Sequence, residues 1–161
     1  DAIRLCTYGI AVRTAATEPA KWAPQTRETA DHSIPYLVAV AFLDGAVTPA
    51  SFTKDRLQDP AVHHLIAKMR VEEDPDFTDR FPEDYPCLLE VTTKTGRRLV
   101  AETSHPPGHR RNPLSDDQVV GKFFRLASGL LTEERYSAAA DLLWSLEKLP
   151  NLQSLFDRLI L

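Results

Sequence analysis

The run Thr29-Ala30-Asp31-His32-Ser33-Ile34-Pro35-Tyr36 places an imidazole, a hydroxyl and a phenol within five positions. If a helix already includes His32, then His32 and Tyr36 stand i, i+4 and share a face. A phenol beside an imidazole at a helix N-terminus can donate to a carboxylate or relay a proton. The bland alternative is packing, with the Tyr36 ring in a core and His32 only helping the cap. A second run, His105-Pro106-Pro107-Gly108-His109-Arg110-Arg111, combines stiff prolines, a permissive glycine and four groups that favour an anion. It reads either as a contact for a carboxylate ligand or partner domain, or as an ordinary charged surface loop. His63 and His64 are adjacent on a helical pattern, so they point about 100° apart and do not chelate one ion together. They read as a solvated helix face.

Other chemistries lack local support. The chain has no Gly-rich phosphate loop, no G-x-S-x-G elbow, no H-E-x-x-H and no C-x-x-C pair. Nucleotide, zinc and serine-hydrolase readings therefore have no motif to rest on, and no metal site is expected. Cys6 and Cys87 lack metal spacing and sit in strand-like runs, which predicts buried free thiols in a reducing compartment.

The elements that must position these groups follow from periodicity. Residues 2–7 read as a strand and Tyr8–Ala15 as a short helical turn, while 18–30 offers no period and reads as loop. The clearest helix follows, with Asp31 or Ser33 as cap, Pro35 in its first turn and Gly45 closing it. Ile34, Leu37, Val38, Ala41 and Phe42 form its expected core stripe. Ala39, Val40 and Leu43 make the opposite side apolar as well, which predicts burial on both sides or contact with another domain. Asp59-Pro60 starts a helix running to about Met69, Thr53 caps a short turn before it, and 70–74 reads as a brief strand. Alternation over 87–94 turns inward Cys87, Leu89, Val91 and Thr93, and a turn at Thr95-Gly96 leads into 97–103 with Leu99 and Ala101 on the core face.

Ser115 caps a further helix with Asp116 and Asp117 in its first turn. Another follows Thr132, and a last one carries the stripe Leu152, Leu155, Phe156, Leu159 and Ile160. Strands and helices do not alternate as βαβ units. The predicted class is α+β, a small antiparallel sheet packed on helices within one domain.

Length and composition narrow the partners. The 161 residues are 43% hydrophobic and 26% charged, a globular rather than disordered balance. A net charge of −4 argues against nucleic acid, whose phosphates call for a basic face. No apolar run approaches the roughly 18 residues of a membrane helix. The chain opens Asp1-Ala-Ile-Arg without an initiator Met, which reads as cut from something longer.

With these segments in view, the chain resembles the MmgE/PrpD family. The resemblance runs from Lys21-Trp22-Ala-Pro24-Gln-Thr26-Arg27-Glu28-Thr29-Ala-Asp31-His32-Ser33-Ile-Pro35-Tyr36 to Phe42-Leu-Asp44-Gly45. It continues through Asp59-Pro60, Asp74-Pro75, Phe81-Pro82, Gly108-His109, Asn112-Pro113-Leu114-Ser115-Asp116-Asp117 and Lys122-Phe123. That family includes 2-methylcitrate dehydratase, cis-aconitate decarboxylase and iminodisuccinate epimerase. The resemblance implies a lid-type C-terminal domain over 1–161, with helices from about 115 leading back to a large helical domain. It implies a cofactor-independent, cytoplasmic lyase of propionate metabolism, with no metal or organic cofactor, acting on a small di- or tricarboxylate.

Within the resemblance, the His-Ser-x-x-Tyr element makes Tyr36 and His32 the candidate catalytic residues. Lys21, Arg27, Ser33 and His109 match the family pattern as candidate substrate-binding residues. The wording around Lys21–Ser33 leans towards the dehydratase branch. On this reading the chain alone is silent, because the rest of the site lies on the helical domain. The alternatives are a non-catalytic interaction or homodimerisation module using helix 34–43 and stripe 152–160, or a fragment of a family decarboxylase or epimerase.

Overall fold

Strand β1, Ala2–Thr7, opens the fold of this computed structural model, which describes residues 2–160. The chain forms two compact units, one ending at Pro106 and one beginning at Pro107. In the first, β1 is followed by helices α1 (Gly9–Ala15), α2 (Pro19–Trp22), α3 (Arg27–Ala30), α4 (Ile34–Asp44), α5 (Lys54–Leu57) and α6 (Pro60–Ile66). Then come β2 (Met69–Glu73), α7 (Pro75–Arg80) and the hairpin β3 (Cys87–Thr92) and β4 (Arg98–Thr103). The second unit holds α8 (Asp116–Ala127), α9 (Glu133–Trp144) and α10 (Gln153–Leu159).

The class is α+β. The sheet runs β2-β1-β3-β4, and two of its pairings, β1 with β3 and β3 with β4, are antiparallel as expected. The third departs from the expectation: β2 lies parallel to β1, with Ile3 opposite Met69 and Leu5 opposite Val71. A parallel neighbour needs a long crossover, and helices α1 to α6 supply it.

Alternation assigns the two faces of the sheet. Ile3, Leu5 and Met69 are buried on the inner face, with Leu89 and Val91 partly buried against the same core. On the outer face a charge ladder crosses all four strands. Glu72 meets Arg4 at 2.8 Å, Arg4 lies 4.0 Å from Glu90, and Arg98 reaches Glu90 at 2.7 Å. Leu99 and Ala101 were expected inward, yet β4 is exposed along its whole length. It is the edge strand, and in this unit α4 and α6 pack over the β1–β2 side.

Helix α4 begins and ends where expected, with Ser33 as N-cap and Gly45 closing it at φ +74°. Its core face is corrected. Tyr36, Ala39 and Val40 are buried, whereas Ala41 and Phe42 are exposed and Ile34, Leu37 and Val38 are half-buried. An apolar helix of this kind offers two equally good i, i+3, i+4 stripes, so periodicity alone does not choose between them.

Residues 18–30 are also not plain loop: Pro19 starts α2, and Thr26 caps α3 by accepting from the Thr29 amide. Asp59 caps α6 as read, but the helix stops at Ile66 because Met69 already pairs in β2.

In the second unit, Ser115 and Gln118 form a capping box at the start of α8. The Phe124 ring meets that of Tyr136 at 4.8 Å and a tilt of 42° to join α8 to α9, and α10 packs on α9. The buried residues of α8 and α9, Ala127, Ala139 and Ala140, are small. The expected apolar stripe of α10 buries only Leu155, and Phe156 and Ile160 are exposed. Among the described residues, no helix is long and apolar enough to cross a membrane.

Candidate functional site

The start of α4 decides where the candidate residues stand. The Ser33 hydroxyl accepts from the Tyr36 amide at 3.1 Å, which fixes Ser33 as N-cap and Ile34 as the first helical residue. His32 therefore precedes the helix, and the i, i+4 face shared with Tyr36 does not form. The His32 side chain is 75% exposed, whereas Tyr36 is 0% exposed. Ser33 is itself buried, and its hydroxyl also donates to the Lys21 carbonyl at 2.5 Å. One side chain thus caps α4 and ties α2 against it.

Tyr36 sits in the core, its ring 6.3 Å from that of Phe52. Its hydroxyl donates to the Ser51 carbonyl at 2.5 Å. Burial pushes the phenol above its ordinary range, with the Arg56 cation pulling the other way. Arg56 grips Asp44 at the end of α4 and Asp59 at the cap of α6. The phenol thus lies under a corner stapled by charge, and its proton is held by a backbone oxygen.

Of the pair, His32 is the accessible side chain. Its Nδ1 lies 2.5 Å from Asp31 Oδ1 and 3.2 Å from the Glu28 carbonyl. Both neighbours only accept, so Nδ1 carries a hydrogen. Asp31 and His32 stand on the wall of a groove of about 510 Å³ in the first unit. Leu5, Tyr8, Leu37 and Val38 line it, together with Tyr85 and Cys87. Tyr8 stacks on Phe81 at 4.5 Å and meets Tyr85 edge-on at 5.8 Å. Burial raises both the Tyr8 phenol and the Cys87 thiol, so each is neutral at pH 7.

The remaining candidates divide. Lys21 is brought to the same corner as His32 and Ser33 through its carbonyl. Arg27 lies on α3, its guanidinium 5.9 Å from the centre of the Phe52 ring. His109 belongs to the second unit, where its Nδ1 accepts from the Arg111 amide at 3.1 Å and its backbone pairs with Asn112. His63 reaches the Leu57 carbonyl at 2.8 Å, which places it at the end of α5. Among the described residues, no group of three or more His, Cys, Asp or Glu side chains is placed to hold a metal.

Sequence reading missed Tyr8, Tyr85 and Cys87 as groove residues, and missed Asp31 as the partner of His32. No spacing signals the groove, because the pairing of Thr7 with Cys87 across β1 and β3 is what brings these positions together.

Comparison with known proteins adds an independent finding. The model of the MmgE/PrpD C-terminal domain matches residues 1–148, across both units. Mouse cis-aconitate decarboxylase is 31% identical over 139 residues, covering 85% of this chain and 28% of its own length. The human protein of the same name is 31% identical over 126 residues, 78% of this chain and 26% of its length. Mitochondrial 2-methylcitrate dehydratase of Yarrowia lipolytica is 32% identical over 113 residues, 64% and 21% respectively. This chain thus spans roughly a quarter of the length of these relatives, and it belongs to the MmgE/PrpD family as a C-terminal domain.

Proposed function

We propose that this chain is the C-terminal part of a lyase that dehydrates a small polycarboxylate of the 2-methylcitrate type. The observation that carries the reading is the Asp31–His32 pair, exposed at a groove in a domain whose relatives are named for tricarboxylate chemistry. In this scheme Asp31 holds the Nδ1 hydrogen and orients the ring. Nε2 then takes the proton from the carbon beside a substrate carboxylate. The C–H electron pair becomes the new C=C bond, the C–O bond breaks, and the hydroxyl leaves as water after gaining a proton.

The family resemblance assigns that second proton to Tyr36, whose hydroxyl must first leave the Ser51 carbonyl. On the family resemblance, Lys21, Arg27 and His109 are proposed to hold substrate carboxylates. Among the described residues no Lys or Arg lines the groove, so the anion clamp needs partners beyond it. We place those partners on a helical domain, and the isolated chain is accordingly silent.

The test is His32→Gln in the protein that contains this chain, assayed on 2-methylcitrate and on cis-aconitate. Loss of about 10² to 10⁴ in kcat with little change in KM is the expected result. Turnover within about threefold of wild type overturns the role of His32. Water loss from 2-methylcitrate supports dehydration, and carbon dioxide release from cis-aconitate reassigns the reaction to decarboxylation.

A second reading, a homodimerising module without catalysis, is favoured by the exposed Phe42 and Leu43 on α4 and Phe156 and Ile160 near the chain end. Sedimentation decides it: a monomer at high concentration removes this reading, and a dimer broken by Phe42→Glu supports it.

A further inference from the structure

We propose that the second unit carries a binding site for a small polyvalent oxyanion on helix α8, distinct from the groove of the first unit. The site is a cavity of about 420 Å³ lined by Pro107, Leu114, Gln118, Lys122 and Arg125. Gln118, Lys122 and Arg125 stand at i, i+4 and i+7, so one helical face presents all three side chains to it.

Each of the three arrives with donors to spare. The capping box uses the Gln118 Oε1, which accepts from the Ser115 amide at 2.9 Å. That bond turns the amide so that its NH₂, a pure donor, remains available. Lys122 and Arg125 make no ion pair among the described residues, and the helix itself denies them one. The neighbours of Lys122 three and four positions away are Gln118, Val119, Arg125 and Leu126. Those of Arg125 are Gly121, Lys122, Ser128 and Gly129. Two cations placed i, i+3 with no acid in reach repel each other, a cost that a bound anion reverses. Among the described residues, no carboxylate lines the cavity.

The loop that contributes Pro107 and Leu114 to the lining is held by its own hydrogen bonds. Gly108 adopts φ +93°, its amide donates to the Asn112 carbonyl at 2.8 Å, and the Asn112 amide returns to the His109 carbonyl at 2.7 Å. This closed turn lies between Pro107 and Leu114, the two residues that wall the cavity. The volume accommodates an anion of phosphate or tricarboxylate size. A planar fork, a point charge and an amide fit several oxygens on one ligand better than a single chloride.

The test is titration calorimetry on the full chain at low ionic strength, with inorganic phosphate and tricarballylate as probes. Saturable binding weakened about tenfold or more by Lys122→Gln and by Arg125→Gln, and restored by Arg125→Lys at most partly, is the expected result. Tighter binding of tricarballylate identifies carboxylates as the ligand, and tighter binding of phosphate identifies phosphate. Both substitutions are exposed, and an unchanged circular dichroism spectrum keeps folding out of the comparison. No saturation up to about 10 mM of either probe, or binding indifferent to both variants, overturns the site.

Discussion

Tyr36→Phe separates the structural bond of this phenol from any chemical role. The substitution keeps the ring in the core and deletes only the hydroxyl that donates to the Ser51 carbonyl. Ser51 is 3% exposed, so its carbonyl oxygen is left without the Tyr36 donor and with little access to water. Stranding a buried acceptor costs about 1–3 kcal/mol, and the retained ring keeps the packing part small. We therefore expect a loss of about 1–2 kcal/mol, a fall of roughly 5–10 °C in Tm for a unit of this size. In urea the midpoint moves down by about 1 M with unchanged slope.

The same bond makes a signed prediction with pH. Burial raises the phenol above its unfolded value of about 10, so the folded state holds this proton more tightly. Its contribution is complete below pH ~10 and is lost as pH rises through the folded value. Tyr8, Cys6 and Cys87 are raised by burial too, but they are common to both proteins and cancel. The stability gap between wild type and Tyr36→Phe is thus flat from neutral pH to about 10 and narrows above it. A gap under about 0.3 kcal/mol at neutral pH refutes the reasoning, because it means the hydroxyl is not holding Ser51.

Two further expectations rest on single side chains. Ser33→Ala removes the cap of α4 and the tie to Lys21 together, for about 2 kcal/mol in urea unfolding, and faster hydrogen exchange at the Tyr36 amide localises the loss. Gly45→Ala meets no atom within 4 Å, so its cost is purely that of a left-handed Ala, about 1–2 kcal/mol by thermal melting; an unchanged melt removes the αL cap from the account.

Local chemistry made much of this fold legible from the sequence. Ser33, Pro35 and Gly45 bound α4 because caps and turns act through backbone groups only a few residues away. Asp59-Pro60 and Ser115 act in the same way at α6 and α8. Alternation gave the inward set of β3, since a strand has only two faces and Glu90 already occupies the polar one.

What only the tertiary structure decided is which of several equivalent local choices the packing used. Helix α4 is apolar almost all round, and contact with α6, α2 and β2 selected Tyr36, Ala39 and Val40 for the core. The parallel pairing of β2 depends on a helical crossover whose path no local residue encodes. The candidate site shows the same division. His32 and Ser33 were visible in a motif, but a cap at Ser33, two residues later than the shared face requires, sent one side chain to solvent and the other inward. Tyr8, Tyr85 and Cys87 joined them only through strand register, because long-range pairing rather than spacing sets which distant residues meet.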